Sequence, residues 1–126
     1  MPAPIAPTPT SRRAKPALRL RLELSDRVAI GPGKADLLAA IRAEGSIAAA
    51  GRRLRMSYQR AHDLVAALNA DFHDPLIETS TGGARGGGAR LSPMGEAVLD
   101  AFRAIEAEAE AAVRARLIWL RDRLAP

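Results

Sequence analysis

The sequence contains no cysteine and few aromatic residues or histidines, which limits the catalytic and metal-binding sites that it can form. The absence of cysteine excludes disulfides, thiolate metal ligands and a cysteine nucleophile. Only His62 and His73 carry an imidazole, and their spacing matches no recognisable metal-ligand pair. No apolar run approaches the roughly 18 residues that a membrane span requires. We therefore expect a protein with no cofactor, no bound metal and no membrane contact.

The N-terminus lacks a continuous apolar segment and is rich in proline instead. Five prolines fall within the first 16 residues, together with Arg12, Arg13 and Lys15. Such a composition does not match a secretory signal and is typical of a segment outside a packed core. We predict a disordered basic tail over residues 1–17 and a cytoplasmic protein.

Charge is unevenly distributed along the chain. The net charge is +5 overall; residues 1–92 carry +6 and residues 93–126 carry −1. A basic body favours binding to a polyanion, whereas a near-neutral C-terminal segment favours self-association.

Helical periodicity dominates the central stretch from Gly45 to Glu78. Ser46 is a good N-cap for a short helix. Residues 55–57 can turn the chain, and Ser57 can then cap a second helix that ends near Asp71. Its apolar face has the spacing i, i+3, i+4, i+7 and i+11, and consists of Ala61, Leu64, Val65, Leu68 and Phe72. Two short helices joined by a tight turn predict a helix-turn-helix.

The opposite face of the second helix carries side chains suited to reading DNA bases. At 100° per residue, Gln59 and Asp63 point away from the apolar stripe, with Arg60 and His62 on its flanks. Arginine and glutamine can each bond two positions of one base. The predicted DNA-binding residues are Arg52, Arg53, Ser57, Tyr58, Gln59, Arg60, Asp63, Arg85 and Arg90. Tyr58, Gln59 and Arg60 are assigned to base edges, Ser57 to a phosphate or the cap, and Arg52, Arg53, Arg85 and Arg90 to the backbone.

Two alternatives remain open within this set. Arg60 could bond Asp63 or a phosphate and carry no base information. The glycine-rich run from residue 81 to 90 could be a phosphate loop, but it lacks the Gly-Lys-Ser/Thr ending of a P-loop. We interpret it as the tip of a hairpin wing that carries Arg85 and Arg90, the alternative being an ordinary hairpin tip.

The flanking segments complete the predicted architecture. Residues 18–24 alternate leucine with charged residues, which predicts a strand, and residues 27–30 can form its return. A helix is expected at 34–43, a strand at 76–79 and a return strand at Leu91. The fold class is therefore mainly α with a small β wing: a winged helix-turn-helix over 18–92, followed by a long helix over 93–126.

The C-terminal helix is predicted to begin at Ser92-Pro93 and to continue to Leu124 without interruption. Its apolar stripe exceeds what a small body can cover, so we expect a homodimer. An alternative is a helix packed wholly on its own body. The predicted dimerisation residues are Val98, Phe102, Ile105, Ala109, Val113, Leu117, Trp119 and Leu120.

The stretch from about residue 18 to 105 resembles the N-terminal DNA-binding domain of the ModE regulators, which is related to the LysR-type winged helix-turn-helix. The resemblance rests on GSIAAAGRRLRMSY at 45–58, Leu68-Asn69, Pro75 to Glu78 and TSTGGARGGGARLSPMG at 79–95. It implies a DNA-binding transcriptional regulator with a winged helix-turn-helix. ModE regulators sense molybdate through domains that follow this part. We expect no molybdate-binding domain in this chain, whether it is a stand-alone protein or a truncation.

The sequence thus predicts a dimeric, sequence-specific transcriptional regulator that reads an inverted repeat in double-stranded DNA. One alternative is a winged-helix module that dimerises and binds a protein, with incidental DNA binding. Catalysis is not expected, because no nucleophile, paired carboxylate or metal cluster accompanies His62 and Asp63.

Overall fold

The computed structural model describes residues 16–81 and 87–126, which form four helices and two small antiparallel hairpins. The predictions for residues 1–15 and for Arg85 lie outside the described residues. The predicted fold class, mainly α with a small β wing, is confirmed. In chain order the elements are β1 (Leu22–Glu23), β2 (Ala29–Ile30), α1 (Pro32–Glu44), α2 (Ile47–Arg53), α3 (Tyr58–Asp71), β3 (Ile77–Ser80), β4 (Gly88–Leu91) and α4 (Pro93–Arg121).

The N-terminal hairpin is shorter than the alternating sequence predicts. Leu18, Leu20 and Leu22 are half-buried and the arginines between them are exposed, so the two faces are as expected. However, the ladder holds only the pairs Leu22–Ile30 and Glu23–Ala29. The predicted strand over 18–24 is wrong in extent, because the opposite strand leads into α1 directly after Ile30. Helix α1 begins at Pro32, two residues earlier than predicted, since proline is well suited to a first helical turn.

Helix α1 lies at the centre of the core. Five of its residues are buried, and Leu37, Leu38 and Ile41 are fully shielded from solvent. Around them pack the inner faces of α2 and α3, the wing strands β3 and β4, and the start of α4. The core therefore holds the two helices of the helix-turn-helix and the wing against one common support.

Helix α4 begins as predicted and ends three residues earlier than expected. The Ser92 hydroxyl accepts a hydrogen bond from the Gly95 amide at 3.0 Å and donates one to the Pro75 carbonyl at 2.7 Å. The helix ends at Arg121 rather than Leu124. Its 29 residues correspond to about 43 Å.

The first three turns of α4 belong to the core of the protomer. Leu99 is fully buried and Phe102 is only 2% exposed. Phe102 is therefore wrongly predicted as a dimerisation residue, because the body still covers its face of the helix. Val98 is half-buried and packs against the core. The remaining predicted dimerisation residues lie at the surface: Ile105, Trp119 and Leu120 are exposed, and Ala109, Val113 and Leu117 are half-buried. Within the described ranges, no helix is both long and apolar enough to cross a membrane.

Candidate nucleic-acid interface

Two serine caps and a close helix contact build the helix-turn-helix. Ser46 accepts from the Ala49 amide at 3.0 Å, and Ser57 accepts from the Arg60 amide at 3.1 Å, so both predicted caps are present. A Cβ added at Gly51 would lie 3.4 Å from the Ala61 Cβ. Glycine at position 51 therefore leaves α2 and α3 in close contact with little room for a larger side chain.

The turn between α2 and α3 is tight and carries a cation. The Met56 amide donates to the Gly51 carbonyl at 2.9 Å, and Arg55 adopts a left-handed backbone with φ of 60°. Its exposed side chain adds a positive charge between the two helices. The sequence places Arg55 in the turn, and Arg55 is not among the predicted DNA-binding residues.

The outward face of α3 is polar and open to solvent. Tyr58 is 57% exposed, and Gln59, Arg60, His62 and Asp63 are exposed with it. The rings of Tyr58 and His62 lie 5.7 Å apart between centroids. All five residues fall in the N-terminal half of the helix, which is the part that reaches base edges in known helix-turn-helix complexes.

On this face Asp63 is hydrogen-bonded to Gln59 and not to Arg60. The Gln59 Nε2 donates to an Asp63 carboxylate oxygen at 2.8 Å. This bond orients the glutamine amide, since its oxygen would be repelled by the carboxylate. The Arg60–Asp63 bond that the sequence left open is not the arrangement seen here, so Asp63 does not restrain the Arg60 side chain in this way.

Two of the arginines predicted to contact the DNA backbone form ion pairs within the protein. Arg53 lies 2.9 Å from the Glu44 carboxylate, and Arg90 lies 3.0 Å from the Glu78 carboxylate across the wing strands. Both arginines are more than half exposed. Exposed pairs of this kind are weak, about 0 to 1 kcal/mol, so a phosphate can replace the carboxylate. Arg52 is also exposed.

A groove separates the recognition face from the base of the wing. It is lined by Tyr58 and His62 from α3, the start of α2, and wing residues including Thr79 and Ser80. The wing strands pair in the register Ile77–Leu91, Glu78–Arg90, Thr79–Ala89 and Ser80–Gly88. The hydroxyl groups at 79–81 and the imidazole of His62 were not predicted as site residues, because their proximity depends on how the wing folds back.

The described residues hold no cluster of His, Cys, Asp or Glu that could bind a metal ion. Their buried side-chain polar atoms all have hydrogen-bond partners. The chemistry of the site is therefore that of an exposed polar and cationic surface, on which α3 and the wing lie side by side.

Comparison with protein families gives one match over the helix-turn-helix and wing. Residues 34–96 match the family described as bacterial regulatory helix-turn-helix protein, lysR family. The match spans α1 to the first turn of α4 and thus half of the chain.

Curated relatives match the same part of the chain. The molybdenum-pterin-binding protein MopB of Rhodobacter capsulatus is 45% identical over 78 residues, which cover 62% of this chain and 29% of MopB. The molybdenum transport protein ModE of Azotobacter vinelandii is 33% identical over 95 residues, covering 75% of this chain and 35% of that protein. The chain thus matches about a third of the length of these relatives.

Solved structures include a similar domain bound to DNA. The crystal structure of the CbnR DNA-binding domain in complex with DNA superposes with a TM-score of 0.51 at 30% identity. The alignment covers 67% of this chain and 92% of that domain. Full-length CbnR bound to its target DNA gives a TM-score of 0.50, with 28% of that chain covered.

Proposed function

Because the chain belongs to the LysR family of bacterial regulatory helix-turn-helix proteins, we propose that it is a transcriptional regulator that reads double-stranded DNA through α3 and the wing. The observation that carries this proposal is the exposed polar face on the N-terminal half of α3, set beside the wing on a basic body. The DNA complexes of the similar CbnR domain support it.

Within this proposal, α3 enters the major groove and supplies base contacts. Arg60 suits a guanine, and Gln59 suits an adenine, because each can make two hydrogen bonds to one base. Asp63 holds the Gln59 amide and adds acceptor oxygens beside it. Tyr58 extends the same face. The hydroxyl of Ser57 accepts the capping bond, and its hydrogen can still be donated to a phosphate.

The surrounding arginines provide affinity that does not depend on base sequence. Arg52 and Arg55 flank the entry to α3, and Arg53 and Arg90 can exchange their carboxylate partners for phosphates. Each phosphate contact releases counterions, so affinity should fall steeply as salt rises. Arg85 is proposed to act in the same way as Arg90.

We further propose that two copies pair through the part of α4 beyond the core. Ile105, Ile118, Trp119 and Leu120 are between 38% and 57% exposed there, which is costly for a lone protomer. A symmetric pair places two α3 helices on one side of the duplex. It would read an inverted repeat whose half-sites are about 34 Å apart, or a multiple of that distance.

The proposal needs no catalytic step and no cofactor, and it places the protein in the cytoplasm, where bacterial DNA is found. The molybdenum-related functions in the names of the relatives do not enter it, because the matched segment is only about a third of their length.

The test is selection of duplex DNA from a random pool by the full chain. We expect an enriched inverted repeat, bound with an affinity that falls with salt. A matched protein carrying both Gln59→Ala and Arg60→Ala should enrich no motif while keeping salt-dependent binding to any duplex. Absence of duplex binding at low salt would contradict the proposal and would favour a winged-helix module that binds a protein.

A further inference from the structure

The junction between α3 and the wing depends on one side chain, Asn69. It lies in the last turns of α3, half-buried, where the chain reverses towards β3. Its carbonyl oxygen accepts from the amides of Leu76 and Ile77, both at 2.9 Å. Its amide nitrogen donates to the Ile77 carbonyl at 3.1 Å. One side chain thus bonds three backbone groups where β3 begins.

Few residue types can make this set of bonds. The site needs one acceptor with two lone pairs and a donor beside it, on a side chain short enough to remain against the helix. The asparagine amide provides both. Without it, two N–H groups and one carbonyl lose their partner in a partly shielded region, and such losses are costly.

The wing has a second attachment on its other strand. The Ala89 amide in β4 donates to the Gly45 carbonyl at 2.8 Å, which ties the wing to the corner between α1 and α2. Ser92 bonds the Pro75 and Leu76 carbonyls, but these bonds connect the segment to α4 and not to the recognition helix. Asn69 is therefore the polar link between α3 and β3 among the described residues.

The wing also packs on the core through Ile77, Ala89 and Leu91, so these polar bonds set its orientation on a surface that it already contacts. With Asn69 in place, the wing is held both at α3 and at the α1–α2 corner. Without it, the start of β3 loses its polar link to α3 and can shift relative to that helix. Arg90 is ion-paired with Glu78 of β3, so such a shift would change the position of its guanidinium relative to the DNA backbone.

We propose that Asn69 is a positioning residue that holds the wing where Arg90 reaches the DNA backbone while α3 occupies the groove. This inference rests on the proposed DNA-binding function and assigns to Asn69 the coupling between its two contact surfaces. Asn69 does not itself touch DNA in this arrangement.

The test is a double-mutant cycle on duplex DNA that carries the selected site. Arg90→Ala is measured in the unchanged protein, in Asn69→Ala and in Asn69→Asp. In the unchanged protein the substitution should weaken binding. In Asn69→Ala its effect should shrink by about threefold or more, since the wing is already displaced. Asn69→Asp keeps both accepting bonds and should keep most of the Arg90 effect.

Arg52→Ala is the matched control, because it removes an exposed arginine from α2 and not from the wing. Its effect should be equal in the unchanged protein and in Asn69→Ala. Thermal melts confirm that each variant is folded at the assay temperature. If Asn69→Ala is not folded, Asn69→Leu, which has a similar size and no hydrogen-bonding group, takes its place with the same expected loss of the Arg90 effect. Full loss of that effect in Asn69→Asp would overturn the account in which the two accepted bonds hold the wing.

Two further results would overturn the inference. Additive losses for Asn69→Ala and Arg90→Ala would mean that the link does not place the wing. A silent Arg90→Ala in the unchanged protein would mean that Arg90 does not reach the backbone. Neither result resembles failure of the proposed function, in which the unchanged protein does not bind duplex DNA.

Discussion

Helices α3 and α4 both leave one side uncovered by the protomer, but the two exposed sides have opposite chemistry. On α3 the exposed residues are polar or charged, including Gln59, Arg60 and Asp63. On the part of α4 beyond the core they include Ile105, Ile118 and Leu120. A polar surface loses little by remaining in water, whereas exposed apolar surface is stabilised by burial. The first therefore suits a hydrated, charged partner such as DNA, and the second suits another copy of the chain.

The same contrast appears along α4 itself. Its first turns bury Leu99 and Phe102 against the body, while Trp119 near the end is 55% exposed and has the Arg123 guanidinium stacked 3.8 Å from its ring centroid. The apolar spacing continues across both parts. Periodicity thus identifies the apolar face of the helix, and the length of the body decides how much of that face is covered.

The largest effect is expected when the uncovered part of α4 is removed. A chain ending at Ala104 keeps Leu99 and Phe102 and should fold as a monomer, whereas the full chain should sediment as a dimer. Its affinity for an inverted repeat should fall about 100-fold or more, because the second half-site is no longer linked to the first. Affinity for a single half-site should stay unchanged. A full-length monomer at tens of micromolar would rule out the proposed dimer.

A matched pair of leucines tests the contrast within α4. Leu99 is fully buried and Leu124 is 72% exposed. Leu99→Ala should lower the free energy of unfolding by about 2–5 kcal/mol, because it leaves a cavity in the core. Leu124→Ala should change it by less than about 0.5 kcal/mol. Urea unfolding, measured at one protein concentration, gives both values. Similar losses for the two variants would show that Leu124 is buried in the assembled protein.

The polar face of α3 is tested by Arg60→Ala. If Arg60 reads a base, the variant should lose about 1–3 kcal/mol of binding free energy on the selected site and almost none on random duplex. Both affinities are measured at one salt concentration. Equal losses on the two duplexes would make Arg60 a phosphate contact and leave base selection to Tyr58 and Gln59.

Features that depend on neighbouring residues could be predicted from the sequence. The caps at Ser46, Ser57 and Ser92 are correct because each cap bonds an amide three residues onward. The long α4 also follows from local pattern and the absence of interior proline.

Features that require distant segments to meet could not be predicted in this way. Burial of Phe102 depends on how far the body extends along α4. The ion pairs of Arg53 and Arg90 form only when their partners approach through the fold. Asn69 looks like an ordinary polar residue on α3 until the chain returns through Leu76 and Ile77.

The smallest effect is expected at the wing, where a matched pair of substitutions changes charge in opposite directions. Arg90→Ala should weaken binding to all duplexes alike and reduce the salt slope by less than about one unit, because Arg90 must first leave Glu78. Glu78→Gln frees Arg90 and removes a negative charge, so it should strengthen binding to all duplexes. Titrations at three or more salt concentrations on selected and random duplexes measure both slopes. A loss confined to the selected duplex would mean that the wing reads bases, and the proposed division between a selective α3 and a non-selective wing would be wrong.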